Sequence, residues 1–218
     1  MSEAQRSEAQ RSEAQAGGTL HAVPLRPRVT HPRPEPDLAV AERAAADFMM
    51  ALGIPVDGPD LVDTPGRLAR AYAELLDVPE YEFTTFPNTE GYDELVLVQD
   101  IPVQSVCEHH LLPFSGVAHV GYLPSARIVG LSKLARTVDH FARRPQTQER
   151  LTMQVARHLE EQLSPRGVGV VVEAVHSCMT LRGARAHDTR TITSSMLGHL
   201  RDEPAARAEF LSLTSGRS

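Results

Sequence analysis

The chain has 218 residues, of which 41% are hydrophobic and 23% are charged, and this composition is typical of a globular protein with a hydrophobic core. Its formal charge of −6 argues against a general nucleic-acid-binding protein, because such domains are usually basic. It has no run of about 18 apolar residues that would span a membrane, no apolar signal core and no disulfide framework, so a cytoplasmic protein is expected.

Residues 1–36 are predicted to form a disordered tail. They contain nearly three copies of Ser-Glu-Ala-Gln-Arg, followed by the proline-rich stretch VPLRPRVTHPRPEPD. A period of five suits neither an amphipathic helix nor a strand, and the prolines favour a stiff, extended linker. A partner-binding arm is the alternative. The folded domain is expected over 37–218, with a helical part over 37–90 and the main part over 91–213.

Local patterns then predict the elements of the folded part in chain order. Asp37 is suited to cap a helix that Gly53 ends, and Pro65 stands in the first turn of a second helix. Periodicity and β-branched composition predict strands over 92–106, 116–124 and 127–132, helices over 132–144 and 147–163, strands over 167–178 and 188–197, and a helix over 204–211. This order of helices and strands indicates an α+β fold.

The stretch SVCEHHLLPF predicts one half of a metal site. Cys107 and His110 have the i, i+3 spacing that a single turn brings together, while His176 and Cys178, at i and i+2 on a predicted strand, should share a face. Two thiols with imidazoles are zinc-type ligands. The alternative is that each is an ordinary buried residue. The spacing leaves open whether all four form a closed structural site or three bind and the fourth position holds water.

Cations are concentrated in the second half of this acidic chain. Lys133, which is its single lysine, and Arg136 lie i, i+3 on one predicted helix face, where they could bind the same polyanion, such as a triphosphate. A solvated helix surface is the competing interpretation, and it is favoured for Arg143 and Arg144. The stretch GLSKLARTVDHFARRPQTQERLT also contains Arg150, and LRGAR adds Arg182 and Arg185.

Gln148 and Glu149 stand among these cations. A carboxylate can accept two hydrogen bonds from adjacent N–H donors, which the N1 and amino edge of guanine offers. The alternative for Glu149 is an ordinary acidic residue at the start of a helix.

Taken together, the motifs CEHHLLPF, GLSKLAR, RRPQTQERLT, AVHSCMTLRG and TITSS resemble the GTP cyclohydrolase I family in order and spacing, over about residues 37–213. The resemblance implies that Cys107, His110 and Cys178 bind one Zn²⁺ per subunit, with water in the fourth position. His109 and His176 are then the proton-transfer pair. The implied guanine-binding residues are Gln148 and Glu149, and the implied triphosphate contacts are Ser132, Lys133, Arg136 and Arg182.

The resemblance also implies a reaction and an assembly. Activated water attacks C8 of GTP while His176 protonates N7, C8 leaves as formate, and rearrangement gives 7,8-dihydroneopterin triphosphate, the first step of pterin and tetrahydrofolate biosynthesis. The implied fold is the tunnelling fold, an antiparallel sheet with a helix pair on one face, preceded by N-terminal helices. The implied oligomer is a toroidal homodecamer with active sites at subunit interfaces.

Two other functions are the alternatives. A nitrile reductase of queuosine biosynthesis would need a nucleophilic cysteine and a nicotinamide without zinc, whereas both cysteines here have zinc-like surroundings. A catalytically silent, zinc-stabilised scaffold is disfavoured because His109, His176, Glu149 and Lys133 are all present.

Overall fold

The computed structural model describes residues 28–215. The elements are, in chain order, β1 (Arg28–Val29), α1 (Leu38–Ala51), α2 (Thr64–Leu75), β2 (Tyr81–Glu82), β3 (Thr85–Pro87), β4 (Val96–Cys107), β5 (Pro113–Leu123), β6 (Arg127–Val129), α3 (Leu131–Ala142), β7 (Pro145–Gln146), α4 (Gln148–Leu163), β8 (Gly167–His176), α5 (Ser177–Thr180), β9 (Thr191–Gly198), α6 (His199–Asp202) and α7 (Pro204–Thr214). The predicted α+β fold is confirmed.

The main sheet has five strands in the order β7-β4-β5-β8-β9. The four long strands are antiparallel to their neighbours. The short β7 instead pairs parallel with the end of β4, through Val106 opposite Pro145 and Cys107 opposite Gln146. The expectation of a purely antiparallel sheet is therefore corrected to a mixed sheet, because the link between α3 and α4 lies beside the end of β4.

The side chains of β8 alternate between two cores, as a strand requires. Val168, Val170 and Val172 enter the main core, where α3 packs against β4 and α4 packs against β8 and β9. Val171 belongs to a second cluster, which includes the fully buried Phe210 of α7. The sheet is thus covered by the helix pair on one face and partly by α7 on the other.

The first two helices have the ends that the sequence predicts. The Asp37 side chain accepts a hydrogen bond of 3.0 Å from the Val40 N–H at the start of α1. Gly53 follows that helix with φ of 77°, a conformation that glycine adopts at little steric cost. Pro65 stands in the first turn of α2, where its missing N–H costs no hydrogen bond.

The N-terminal tail predicted over 1–36 overlaps the described residues only from Arg28 onward. There Arg28 and Val29 form β1 and pair with Glu82 and Tyr81, so ordered structure begins earlier than the sequence predicts. Residues 1–27, including the pentapeptide repeat, lie outside the described residues. Within 28–215, no helix is long and apolar enough to cross a membrane.

Candidate active site

A tight turn after β4 brings His110 back towards Cys107. The Cys107 carbonyl accepts a hydrogen bond of 2.8 Å from the Leu111 N–H, and Leu111 has φ of 53°, an uncommon conformation for a non-glycine residue. The Tyr72 hydroxyl of α2 donates to the Leu111 carbonyl at 2.8 Å. In this turn His110 Nδ1 lies 3.7 Å from Cys107 Sγ.

Cys178 completes a three-residue group. One possible ligand atom from each of Cys107, His110 and Cys178 lies within 4.8 Å of the others. Cys107 is buried, Cys178 is partly buried and His110 is exposed, so the group opens towards solvent on one side. Burial raises the pKa of the Cys178 thiol, and the adjacent Cys107 raises it further. A cation between the two sulfurs would favour the thiolates, and two sulfurs with one imidazole are a donor set suited to zinc.

His176 is not part of this group, which corrects the sequence argument that it shares a strand face with Cys178. The strand β8 ends at His176, and Cys178 lies in the helical turn α5. The alternation of a strand therefore does not apply to this pair. The His176 ring stacks on Phe114 instead, with centroids 4.4 Å apart and planes at 12°, and its Nε2 lies 2.8 Å from Gln148 Oε1.

Gln148 and Glu149 begin α4 next to this imidazole. Gln148 is only 2% exposed, whereas Glu149 is exposed in the first turn. Burial lowers the pKa of His176, and the Glu149 carboxylate opposes that shift, which indicates that the two charges interact. The structure thus brings the predicted guanine-binding pair close to the predicted proton-transfer residue.

His109 is exposed beside the metal group, with Nδ1 3.9 Å from Cys107 Sγ. Its Nε2 lies 3.8 Å from an oxygen of Glu108, whose other oxygen binds Arg150. Arg150 also donates to the buried Gln146 at 2.7 Å. Glu108 and Gln146 were not among the predicted site residues, although an acidic residue between a thiol and two imidazoles was a possible signal.

The residues that are predicted to bind the triphosphate do not all line one cavity. Lys133 and Arg136 line a cavity of about 310 Å³ that none of the metal-group residues lines. Ser132 is exposed in the first turn of α3, and Arg182 is exposed just after α5, where its charge acts on Cys178.

Arg28 also lines that cavity, although it was not among the predicted site residues. It forms an ion pair with Glu80, and Glu80, Tyr81 and Glu82 are further lining residues. Only the pairing of β1 with β2 places Arg28 there. Its sequence surroundings give no such signal, because they are proline-rich and predicted to be disordered.

The family model described as GTP cyclohydrolase I matches residues 41–215. A protein of Streptomyces avermitilis named GTP cyclohydrolase 1 is 55% identical over 183 residues, which cover 81% of this chain and 90% of that protein. Proteins with the same name from Rhodopirellula baltica and Thermobifida fusca are 50% and 52% identical, over 84% and 81% of this chain and 81% and 87% of their own lengths.

Proposed function

The chain belongs to the GTP cyclohydrolase I family, and on that premise we propose that it opens the imidazole ring of GTP by hydrolysis. The products are formate and 7,8-dihydroneopterin triphosphate, and the step is the first of pterin and tetrahydrofolate biosynthesis. The observation that carries the proposal is the Cys107, His110 and Cys178 group, with His176 two residues before Cys178 and its imidazole held by Gln148.

The proposed metal is one Zn²⁺ per subunit, bound by Cys107, His110 and Cys178. Three protein ligands are the number that catalytic zinc sites use, because the remaining position is kept for water or substrate. Such an ion supplies Lewis-acid activation of water near neutral pH. The His176 ring is held by Gln148 and Phe114, which supports a role outside the metal's ligand set.

The side chains around this group have the chemistry that the proposed reaction requires. His176 donates a proton to N7 of the guanine, and His109 is the second proton-transfer residue, since an imidazole titrates near neutral pH. Glu149 is exposed and accepts hydrogen bonds from N1 and the 2-amino group, with Gln148 beside it. Each of these roles follows from the family motifs, and the positions of the side chains are compatible with them.

The triphosphate is proposed to bind Ser132, Lys133, Arg136 and Arg182. Because Lys133 and Arg136 line a separate cavity from the metal group, we propose that each active site combines residues from more than one copy of the chain. The expected assembly is a toroidal homodecamer of tunnelling-fold subunits. The catalytic unit would be residues 37–218 of a cytoplasmic enzyme, with 37–90 as its helical part and 91–213 as its tunnelling-fold part.

The two alternatives are less well supported by the geometry. Both cysteines of the chain belong to the metal group, so neither is left as the free nucleophile of a nitrile reductase. A silent scaffold would not need an imidazole that is held in place by a buried amide, as His176 is held by Gln148.

The test is a metal analysis of the purified protein, followed by incubation with GTP and measurement of formate and pterin fluorescence. Wild type should contain about one zinc per chain and form both products. Cys178→Ala should lose the metal and both products, whereas His176→Ala should keep the metal and lose the products. Neither product from zinc-loaded wild type would reject the proposal, and formate without pterin would show a reaction that stops after ring opening.

A further inference from the structure

The orientation of the Gln148 side-chain amide is fixed by its neighbours. Its Nε2 lies 2.9 Å from the Val172 carbonyl oxygen and 2.9 Å from the Thr191 carbonyl oxygen. A carbonyl can only accept a hydrogen bond, so both positions require the amide nitrogen and its two hydrogens. The Thr193 hydroxyl, at 3.2 Å, is a weaker third neighbour. The amide oxygen must therefore be the atom that faces His176.

This orientation determines the tautomer of His176. Gln148 Oε1 lies 2.8 Å from His176 Nε2, and an amide oxygen only accepts, so Nε2 must carry a hydrogen. In the neutral ring the other nitrogen, Nδ1, then has a free lone pair, and among the described residues no hydrogen bond reaches it. We propose that Gln148 is a positioning residue that holds His176 as the Nε2–H tautomer and reserves Nδ1 for the proton exchanged with the substrate.

The ring has little freedom to escape this arrangement. Phe114 stacks on it at 4.4 Å and 12°, and Gln148 is held at the first residue of α4. Turning the ring over would replace the Nε2–H donor with a carbon at the buried amide oxygen. The loss of one buried hydrogen bond costs about 1–3 kcal/mol, which is enough to make the other orientation a minor one.

The same bonds argue that Gln148 does not bind the substrate directly. Its oxygen is bonded to His176, and both hydrogens of its amide are used by backbone carbonyls. A contact with the guanine would require breaking one of these buried bonds. Gln148 therefore acts through His176, whereas the exposed Glu149 remains available to the substrate.

This inference rests on the proposed function only for the role of Nδ1, because the tautomer can be measured without substrate. The experiment is ¹⁵N NMR of the zinc-loaded, histidine-labelled protein at a pH where His176 is neutral. The His176 signals are assigned by their disappearance in His176→Gln. Wild type should show a protonated Nε2 and an unprotonated Nδ1. The opposite pattern would overturn the proposal, even if the enzyme opens GTP normally.

The matched variants are Gln148→Met, which keeps the length of the side chain but removes the amide, and Thr193→Val. The second variant removes the weakest neighbour of the amide, together with the 2.6 Å contact between the Thr193 and Thr152 hydroxyls. Gln148→Met should give a mixture of tautomers and lower kcat by about 10–100-fold, with KM for GTP within about twofold of wild type. Thr193→Val should keep the Nε2–H signals.

A raised KM with unchanged kcat in Gln148→Met would show a substrate contact and overturn the proposal. If that variant does not fold, the wild-type signals decide. Wild type that shows Nε2–H but makes no formate would reject the proposed function and leave the tautomer established.

Discussion

Protonation of His158 should destabilise this protein in mild acid. His158 lies on α4 with its ring edge-on to Phe83 and Phe141, at centroid distances of 5.2 and 5.4 Å. Its Nε2 is 3.3 Å from the Tyr81 hydroxyl. Burial in this aromatic cluster, together with a smaller effect of the nearby His140, lowers the pKa of His158 from 6.5 to about 4.

The direction of the effect follows from the two pKa values. The unfolded chain takes up the proton near pH 6.5, whereas the folded chain takes it up only near pH 4, so the stabilisation is complete above pH 6.5 and is lost as the pH falls towards 4. The full difference corresponds to about 3 kcal/mol. Because the ring is partly exposed, solvent screening reduces this, and we expect roughly 1 kcal/mol between pH 7 and pH 5.

The test compares wild type with His158→Gln, whose amide can still bond to the Tyr81 hydroxyl but does not titrate. Free energies of unfolding are measured in urea at pH 7, 6 and 5, at one protein and one zinc concentration. Acid loss of the metal affects both proteins, so it cancels in the difference. The difference between wild type and variant should change by roughly 1 kcal/mol over this range. For the exposed control His199→Gln, the free energy of unfolding should change with pH as it does in wild type. The same pH dependence in His158→Gln as in wild type would refute the reasoning.

Three further predictions concern the metal, the phosphate contacts and the sheet. Removal of zinc by a chelator should lower the thermal unfolding midpoint of wild type by several degrees. It should leave the midpoint of Cys178→Ala unchanged, because the variant has already lost the site. Equal midpoints in treated and untreated wild type would argue against a bound metal. Lys133→Ala and Arg136→Ala should each raise KM for GTP by about 10-fold with little change in kcat, because each removes a positive charge that binds the ground state and the transition state equally. Steady-state kinetics measure both constants, and a loss confined to kcat would contradict a phosphate-binding role. Gly116→Ala should lower the free energy of unfolding by about 1–3 kcal/mol, because its Cβ would lie 1.9 Å from the Glu173 carbonyl oxygen. Urea denaturation measures this free energy, and a value equal to that of wild type would show that β5 and β8 can separate there.

Part of the candidate site could be predicted from residues that lie close together in the sequence. The pair Cys107 and His110 was predicted from its spacing, and the turn after β4 does bring the two together. The position of Cys178 was predicted less well, because the i, i+2 argument assumed a strand that in fact ends at His176. The family motifs, rather than the strand argument, separated the expected ligands from His176.

Features that neighbouring residues control could be predicted from the sequence. The Asp37 cap, the glycine stop at Gly53 and the run of β-branched residues in β8 all depend on interactions within a few residues, so local patterns are sufficient to predict them.

Features that depend on distant partners could not be predicted before the fold was known. The parallel pairing of β7, the position of Arg28 in the Lys133 cavity and the orientation of the Gln148 amide each require residues that are far apart in sequence. A glutamine can either donate or accept, and nothing within its own stretch of sequence selects between the two. The Val172 and Thr191 carbonyls make that selection once β8 and β9 lie beneath α4, because a carbonyl oxygen can only accept.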